Sequence, residues 1–511
     1  MNAIDLTIFS SRIESVCDEM GAVLRRSAFS PNIRDRLDYS CAIFDADGEL
    51  CAQAAHIPVH LGSMAFAMRD IVSRMEWQDG DLVILNDPFL GGTHLPDVTM
   101  ISPVLVSNEH LGFVVNRAHH ADIGADTPGS MPISSHLDEE GTVIPPGYLL
   151  RKDKIQQTLY SEILSTLRNP ELSQGDFEAQ ISANRAGMAR LQGWISQLGV
   201  EEFRVGLSEL NSYAERLSST ALKQIPDGIY SFEDRMEDDG AGNRDLPIKV
   251  SIEVEGGRIN VDFSGTTEQT GGNINCPLSV AAAGVYYVFR SLMPPQTPAA
   301  AGSFRAITVT APKGSLLNAD RPAAVAAGNV ETSSRVVDVV IGALVQAVPE
   351  KMAAASQGTM NNVAMGGVVN KRHWDYYETI GGGMGASLNG RGLSAVQTHM
   401  TNTLNTPVEV LEMSTPLQLT EYAVRRGSGG DGDHSGGDGI VRTFKFLEET
   451  TVTLLTERRE ISPWGVDGGS QGQSGRNMLD GELLPAKCSI LVDAGQILSI
   501  ETPGGGGAGY G

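Results

Sequence analysis

The spacing of the apolar residues changes near residue 225, and this change most limits the folds open to the chain. Between residues 155 and 223 apolar side chains recur every three or four positions, which predicts helices. Beyond Ile225 they alternate: an apolar residue stands at every second position of 248–254 and 259–263, on either side of a Glu-Gly-Gly turn. That pattern predicts a β-hairpin. We therefore predict an α+β or mixed α/β fold with mixed sheets.

The same patterns divide the 511 residues into four regions. Residues 1–154 combine helical and strand patterns, residues 155–224 form a central helical segment, residues 225–380 are again α/β, and residues 381–511 are glycine-rich and mainly β. A chain of this length can build two or three hydrophobic cores, at about 150 residues per domain. In the first region predicted strands alternate with loops, which places polar loop residues at strand ends.

The charge balance limits the kinds of partner. The chain has 38 basic and 62 acidic residues and a net charge of −24, whereas phosphate backbones and anionic membranes are bound by clustered Lys and Arg. We therefore expect neither nucleic acid nor membrane as a partner. The five cysteines are few and widely spaced, and the sequence shows no charged-then-apolar leader and no apolar run of about 18 residues. These features predict a cytoplasmic protein with reduced thiols.

Histidines are concentrated in one part of the first region. Seven of the ten lie between residues 56 and 136, and some belong to groups that suit a metal ion. His94 and Asp97 are three residues apart after a glycine-rich turn, and a His-His-Ala-Asp sequence at 119–122 follows a predicted strand. Imidazole and carboxylate groups together suit a divalent metal such as zinc, manganese or iron. The alternative is that these are ordinary loop and core histidines, because no zinc-finger or His-Glu-x-x-His spacing is present.

Three glycine-rich segments resemble ligand-binding loops without completing them. Gly381–Ala386 and Gly504–Gly509 match the dinucleotide-binding spacing, but the first lacks a clear helix after it and the second stands at the C-terminus. Gly427–Gly439 is a single imperfect copy of a calcium-binding turn, which favours a mobile or tightly turning loop. No Gly-x-x-x-x-Gly-Lys phosphate loop occurs, so any ATP that the protein uses is expected on another chain.

Several long and unusual motifs occur in order along almost the whole chain. They are Ser30-Pro-Asn-Ile33 with Asp38-Tyr-Ser40, Asn86 to Asp97, His119 to Gly124 with Pro128-Gly-Ser-Met131, Asp262-Phe-Ser-Gly-Thr266, Gly328 to Ser333, Tyr377 to Gly383, Thr401-Asn-Thr403 with Asn405 to Glu409, Pro463-Trp-Gly465 and Thr502 to Gly507. In these motifs the chain resembles the B component of the hydantoinase/oxoprolinase family, which is related to subunits of acetone and acetophenone carboxylases and of caprolactamase. One departure is the segment 430–437, where relatives commonly carry two arginines and this chain has none. The departure favours a less acidic substrate or a purely structural loop.

The resemblance implies a metal shell made by His94, Asp97 and His119, with Asp38 as a fourth ligand. It also implies that His120 and Asp122 lie around this shell, where they orient the ligands and where either could serve as the general base. The alternative for these two residues is a structural role, as hydrogen-bonding groups of a buried turn.

The resemblance further implies a division of labour between two subunits. A partner A-type subunit would bind ATP and Mg and phosphorylate the substrate, because an unstrained amide is a poor electrophile. This B-type chain would then complete a metal-assisted hydrolysis of a hydantoin, N-methylhydantoin, 5-oxoproline or similar lactam, within a hetero-oligomer. The alternatives are a subunit of an ATP-dependent ketone carboxylase, and a non-catalytic subunit that scaffolds the A-type chain.

Overall fold

A seven-stranded antiparallel sheet forms the first part of the molecule in the computed structural model, which describes residues 1–54 and 56–510. Ala55 and Gly511, the latter part of the predicted last region, lie outside the described residues. The strand order is β2-β1-β5-β4-β3-β6-β7. The strands are β1 (Tyr39–Phe44), β2 (Leu50–Gln53), β3 (Leu82–Leu85), β4 (Asp97–Val106), β5 (Glu109–His119), β6 (Gly147–Arg151) and β7 (Lys154–Ile155).

Both faces of this sheet are covered by helices. The helices of the molecule are α1 (Ala3–Ser27), α2 (Pro31–Arg34), α3 (Pro58–Arg74), α4 (Gln157–Ser165), α5 (Pro170–Leu198), α6 (Val200–Leu222), α7 (Leu278–Ser291), α8 (Ser333–Val345) and α9 (Val408–Ser414). Successive residues of a strand point to opposite faces. Accordingly, Ile43 and Val114 pack into a core with α1 and α5, whereas Phe44 and Val115 pack into a core with α3. Every residue of β1 and of β3 is accordingly buried.

The central helical segment predicted over 155–224 contains three helices, α4, α5 and α6. Pro170 occupies the first turn of α5, where its missing N–H costs nothing, and Gly199 separates α5 from α6 with a φ of 102°. Ile155 is the one predicted helical residue that the structure places in a strand, because it pairs with Leu150 as part of β7. No helix among the described residues combines the length and the apolar character needed to traverse a bilayer.

The predicted hairpin after residue 225 is confirmed and belongs to a second sheet. Its four strands lie in the order β11-β10-β9-β8. They are β8 (Gly228–Asp238), β9 (Arg244–Glu255), β10 (Arg258–Asp262) and β11 (Ile307–Thr310). Strands β9 and β10 are antiparallel, and Gly256 and Gly257 turn the chain between them with φ angles of 58° and 85°. Helices α7 and α8 share a core with this sheet.

Two further sheets face each other across one core in the last part of the chain. The first has the order β13-β12-β16-β19 and the second β14-β15-β20-β17-β18. Their strands are β12 (Asn362–Val369), β13 (Arg372–Glu378), β14 (Leu417–Arg425), β15 (Gly439–Phe446), β16 (Thr450–Leu455), β17 (Arg476–Leu479), β18 (Glu482–Leu483), β19 (Lys487–Val492) and β20 (Ile497–Glu501). Strands β12 and β13 come from the third predicted region and β16 and β19 from the fourth, so this sheet joins the two. The predicted mixed α/β fold with several sheets is confirmed.

The glycine-rich segments of the last region pack against each other through their main chains. A Cβ atom built on Gly383 would lie 2.0 Å from the carbonyl oxygen of Gly437 and 2.3 Å from the amide nitrogen of Gly505. A Cβ atom on Gly505 would lie 2.2 Å from the carbonyl oxygen of Met384. These glycines are therefore required by close backbone approach. The segment 427–439 turns tightly within this packing, with Gly436 donating its N–H to the Gly430 carbonyl over 2.8 Å.

We predict that Gly505→Ala destabilises the protein by about 1–3 kcal/mol, because the added methyl group forces two backbones apart. The free energy of unfolding measured in urea tests this. Gly390→Ala is the matched control, since a Cβ atom there meets nothing within 4 Å. Equal stability of the two variants would contradict the requirement for main-chain contact.

Candidate metal centre

The register of two neighbouring strands brings the predicted metal ligands together. Asp97 begins β4, His119 ends β5, and the two residues are direct cross-strand partners. His94 lies in the turn just before β4, where its carbonyl accepts the N–H of Asp97 over 3.1 Å. Gly91 enters this turn with a φ of 109°, a left-handed conformation that favours glycine. Three residues that are separated in sequence thereby meet at one end of the first sheet.

The two imidazoles converge on one carboxylate oxygen of Asp97. Asp97 Oδ1 lies 3.1 Å from His94 Nε2 and 3.2 Å from His119 Nδ1. All three residues are buried, and they can each offer a ligand atom within 4.8 Å of the others. Over residues 1–54 and 56–510 this is the one group of His, Cys, Asp and Glu side chains with such geometry.

The hydrogen bond behind His94 indicates what occupies the space between these groups. His94 Nδ1 lies 3.1 Å from the carbonyl oxygen of Ala326, which can only accept, so Nδ1 carries the proton. In the neutral ring Nε2 then carries a lone pair, which faces Oδ1 of the Asp97 carboxylate. Among the described residues neither of these two atoms makes a hydrogen bond. Two acceptors at this distance call for a cation between them, so the donor set fits a divalent metal ion.

The electrostatics of the site favour positive charge beside Asp97. Burial alone would raise the pKa of Asp97, but His60 and His94 hold it well below its ordinary value. Burial alone would lower the pKa of His94, but Asp97 and the Ala326 carbonyl outweigh burial and raise it. Burial lowers the pKa of His119. The site therefore contains an ionised buried carboxylate that attracts positive charge.

Three residues that the sequence analysis did not assign bind the second oxygen of Asp97. Thr93 Oγ1 donates to Oδ2 over 2.7 Å, Asn329 Nδ2 donates over 3.0 Å, and His60 Nε2 lies 3.2 Å away. His60 is one of the seven clustered histidines, and Asn329 belongs to the motif Gly328 to Ser333. The sequence therefore singled out both residues but did not indicate that they contact Asp97. Asn329 lies in a π-helical turn, Gly328–Thr332, a rare conformation that is frequent at functional sites.

The ring of His119 is fixed by an aromatic neighbour. It stacks on Tyr377, with ring centroids 4.6 Å apart and planes 12° from parallel. The Tyr377 hydroxyl donates to Asn362 Oδ1 over 2.7 Å. Arg36 donates to the carbonyl oxygen of Tyr377 over 2.7 Å and places its guanidinium carbon 5.0 Å from the centre of the tyrosine ring.

Asp38, the expected fourth ligand, lies beside the group of three and not within it. Its carbonyl oxygen accepts the N–H of His119 over 3.0 Å. Its carboxylate Oδ2 is 3.9 Å from Nη2 of Arg36. The structure therefore places Asp38 next to His119 and an arginine, and its role as a ligand stays a prediction.

His120 and Asp122, the predicted candidates for the general base, contact α5 and the turn around them. His120 Nε2 lies 2.9 Å from Gln180 Oε1, and its ring stacks on Phe177 with centroids 4.6 Å apart. The two carboxylate oxygens of Asp122 accept the main-chain N–H groups of Gly124 and Asn169 over 3.1 and 2.8 Å. These contacts fit the structural alternative, His120 Nδ1 has no hydrogen-bond partner among the described residues, and the role of either residue as general base stays a prediction.

Glu331, a buried acid of the same π-helical turn, holds a residue that positions Tyr377. Glu331 Oε1 accepts the N–H of Met360 over 2.9 Å and the side-chain amide of Asn362 over 2.7 Å. Asn362 in turn holds the Tyr377 hydroxyl. Burial raises the pKa of Glu331 from 4.5 to about 7.

The chain is similar to known proteins in both sequence and fold. The sequence model of the hydantoinase B/oxoprolinase family matches residues 2–511, so the chain belongs to that family. The family predicted from the motifs is thereby confirmed.

Individual relatives differ in how much of their own length the chain covers. It is 39% identical to an uncharacterized protein of Methanocaldococcus jannaschii, over 100% of this chain and 91% of the relative. It is 37% identical to 5-oxoprolinase 1 of Arabidopsis thaliana, over 99% of this chain but 42% of that protein. The crystal structure of the ATP-dependent caprolactamase from Pseudomonas jessenii matches with a TM-score of 0.93 and 27% identity, over 100% of this chain and 91% of that one. The chain thus spans less than half the length of the plant enzyme.

The raised pKa of Glu331 predicts a pH-dependent contribution to stability. An acid whose pKa is higher in the folded state binds its proton more tightly there, so stability falls as pH rises from 4.5 to about 7. In Glu331→Gln the amide oxygen still accepts both hydrogen bonds but no charge forms. We expect the free energy of unfolding of this variant to fall less over that pH range than in the wild type. The exposed Glu448→Gln should follow the wild-type profile, and coincident profiles of all three proteins would refute the prediction.

Proposed function

We propose that this chain is the metal-bearing B-type subunit of an ATP-dependent enzyme that hydrolyses a cyclic amide, such as a hydantoin, 5-oxoproline or a related lactam. The observation that carries the proposal is the convergence of His94, Asp97 and His119 on one buried point. The family membership of the chain, and its likeness to a 5-oxoprolinase and to an ATP-dependent caprolactamase, support a cyclic amide as the class of substrate.

The chemistry of the site follows from what its residues hold. A zinc, manganese or iron ion bound by His94, Asp97 and His119 would supply Lewis-acid polarisation of a carbonyl or phosphoryl oxygen. The Ala326 carbonyl fixes the proton of His94 on Nδ1, and Tyr377 holds the plane of the His119 ring. Because the group is buried, these residues act in a setting from which bulk water is excluded, where electrostatic interactions are strong.

The use of ATP is proposed for an A-type partner that binds ATP and Mg. The sequence has no phosphate loop of its own. The chain covers 91% of its archaeal relative but 42% of the plant 5-oxoprolinase, so more than half of that longer protein lies outside the match. A separate activity, such as phosphorylation of the substrate, fits that remaining part. Partner and chain would then form a hetero-oligomer.

Removal of a ligand should remove the metal and leave the fold. We predict that His94→Ala and His119→Ala, purified without chelators, lose the bound divalent metal by elemental analysis and lose turnover in the complex, while their circular dichroism stays that of the wild type. Asp38→Asn tests the fourth ligand by the same measurement. The exposed His136→Ala is the control. A His94→Ala complex with full activity would contradict the proposal and favour a scaffold.

Turnover should require the partner. Mixed with ATP and a lactam substrate, the purified chain alone is expected to release neither phosphate nor ring-opened product, and addition of an A-type partner is expected to start both. Robust ATP hydrolysis by the chain alone would refute the division of labour. Product formation that depends on bicarbonate and a ketone would instead identify a carboxylase subunit.

A further inference from the structure

We infer that His60 is a positioning residue that confines Asp97 to binding a metal ion through a single oxygen, Oδ1. The inference rests on the proposed metal site and concerns a residue that is not itself a ligand. His60 stands in the first turn of α3, and Asp97 begins β4. The relevant contacts are those of the two carboxylate oxygens and of the two ring nitrogens.

The two oxygens of Asp97 have different surroundings. Oδ2 is met by three groups, Thr93 Oγ1 at 2.7 Å, Asn329 Nδ2 at 3.0 Å and His60 Nε2 at 3.2 Å. Oδ1 receives no hydrogen bond from the described residues and faces the imidazoles of His94 and His119. One oxygen is therefore saturated with donors, and the other is left for a cation.

The two ring nitrogens of His60 contact a serine on one side and Asp97 on the other. Ser40 Oγ lies 3.3 Å from His60 Nδ1 and also accepts the main-chain N–H of Ile57 over 3.2 Å. On the other side of the ring Nε2 lies 3.2 Å from Asp97 Oδ2, an ionised carboxylate oxygen that only accepts, so Nε2 carries the proton. In the neutral ring Nδ1 is then an acceptor, and it receives the hydroxyl proton of Ser40. Ser40 and His60 are both buried, so solvent does not compete for these bonds.

The consequence is a fixed carboxylate with one available oxygen. A carboxylate without such donors can rotate and offer both oxygens to a metal ion. The contacts of Ser40 with His60 Nδ1 and of His60 Nε2 with Asp97 Oδ2 oppose that rotation and keep Oδ1 between the two imidazoles. A ligand that uses one coordination position leaves another for the substrate, and an open position distinguishes a catalytic metal site from a structural one.

The test uses Co²⁺ as the probe, because its visible spectrum reports coordination number independently of turnover. Titrations of the full chain freed of metal would compare the wild type with His60→Ala, His60→Gln and Ser40→Ala. We expect His60→Ala to bind Co²⁺ about 10- to 100-fold more weakly, with a weaker visible band as the second oxygen joins the ion. His60→Gln, whose amide N–H can still reach Asp97, should retain most of the affinity and the wild-type spectrum. Ser40→Ala should fall between them.

The control is His110→Ala, which removes a half-buried histidine of the same sheet whose ring contacts its own strand at the Gly112 carbonyl. A His60→Ala protein with wild-type affinity and spectrum would overturn the inference. Equal losses in His60→Ala and His60→Gln, accompanied by equal drops in thermal stability, would also overturn it, since they indicate a role in packing alone. Failure of the wild type itself to bind Co²⁺ would instead refute the proposed metal function.

Discussion

The buried carboxylate of Asp97 is the interaction on which the surrounding structure depends. An isolated ionised carboxylate away from water is very unfavourable, so it persists only where hydrogen bonds and positive charge compensate for lost hydration. One compensating group, Thr93, comes from the preceding turn, and two come from distant parts of the chain: His60 from α3 and Asn329 from the π-helical turn before α8. The charge thereby joins the first sheet to the helices that cover the second.

A second buried carboxylate, that of Glu140, fixes the backbone that orients His94. Glu140 Oε1 accepts the N–H groups of Val325 and Ala326 over 2.8 and 2.9 Å, and Ser134 donates to the same oxygen over 2.8 Å. These bonds fix the backbone at Ala326, whose carbonyl oxygen accepts the proton of His94. The orientation of the His94 ring thus depends on Glu140, which is 46 residues further along the chain. Glu140 acts through the main chain at Val325 and Ala326, almost two hundred residues beyond it.

The sequence allowed good prediction where the determining interactions are local. The alternation on either side of Gly256 specifies a hairpin, and a His and an Asp three residues apart in a glycine-containing turn do lie together, with His119 as their cross-strand neighbour. Contacts that join distant segments left no such pattern. His60 and Asn329 meet at Asp97 only because α3 and the π-helical turn pack against this end of the first sheet. The contacts of Asp122 depend likewise on the start of α5, which supplies the Asn169 N–H.

Main-chain packing in the last region has a consequence for biosynthesis. The backbone at 381–386 leaves the ribosome well before the backbone at 504–507, yet each supplies the surface against which the other fits. Until the later segment has been translated, the earlier one presents bare peptide groups with no complementary partner. The earlier segment therefore reaches its native packing only after residues 504–507 have been made.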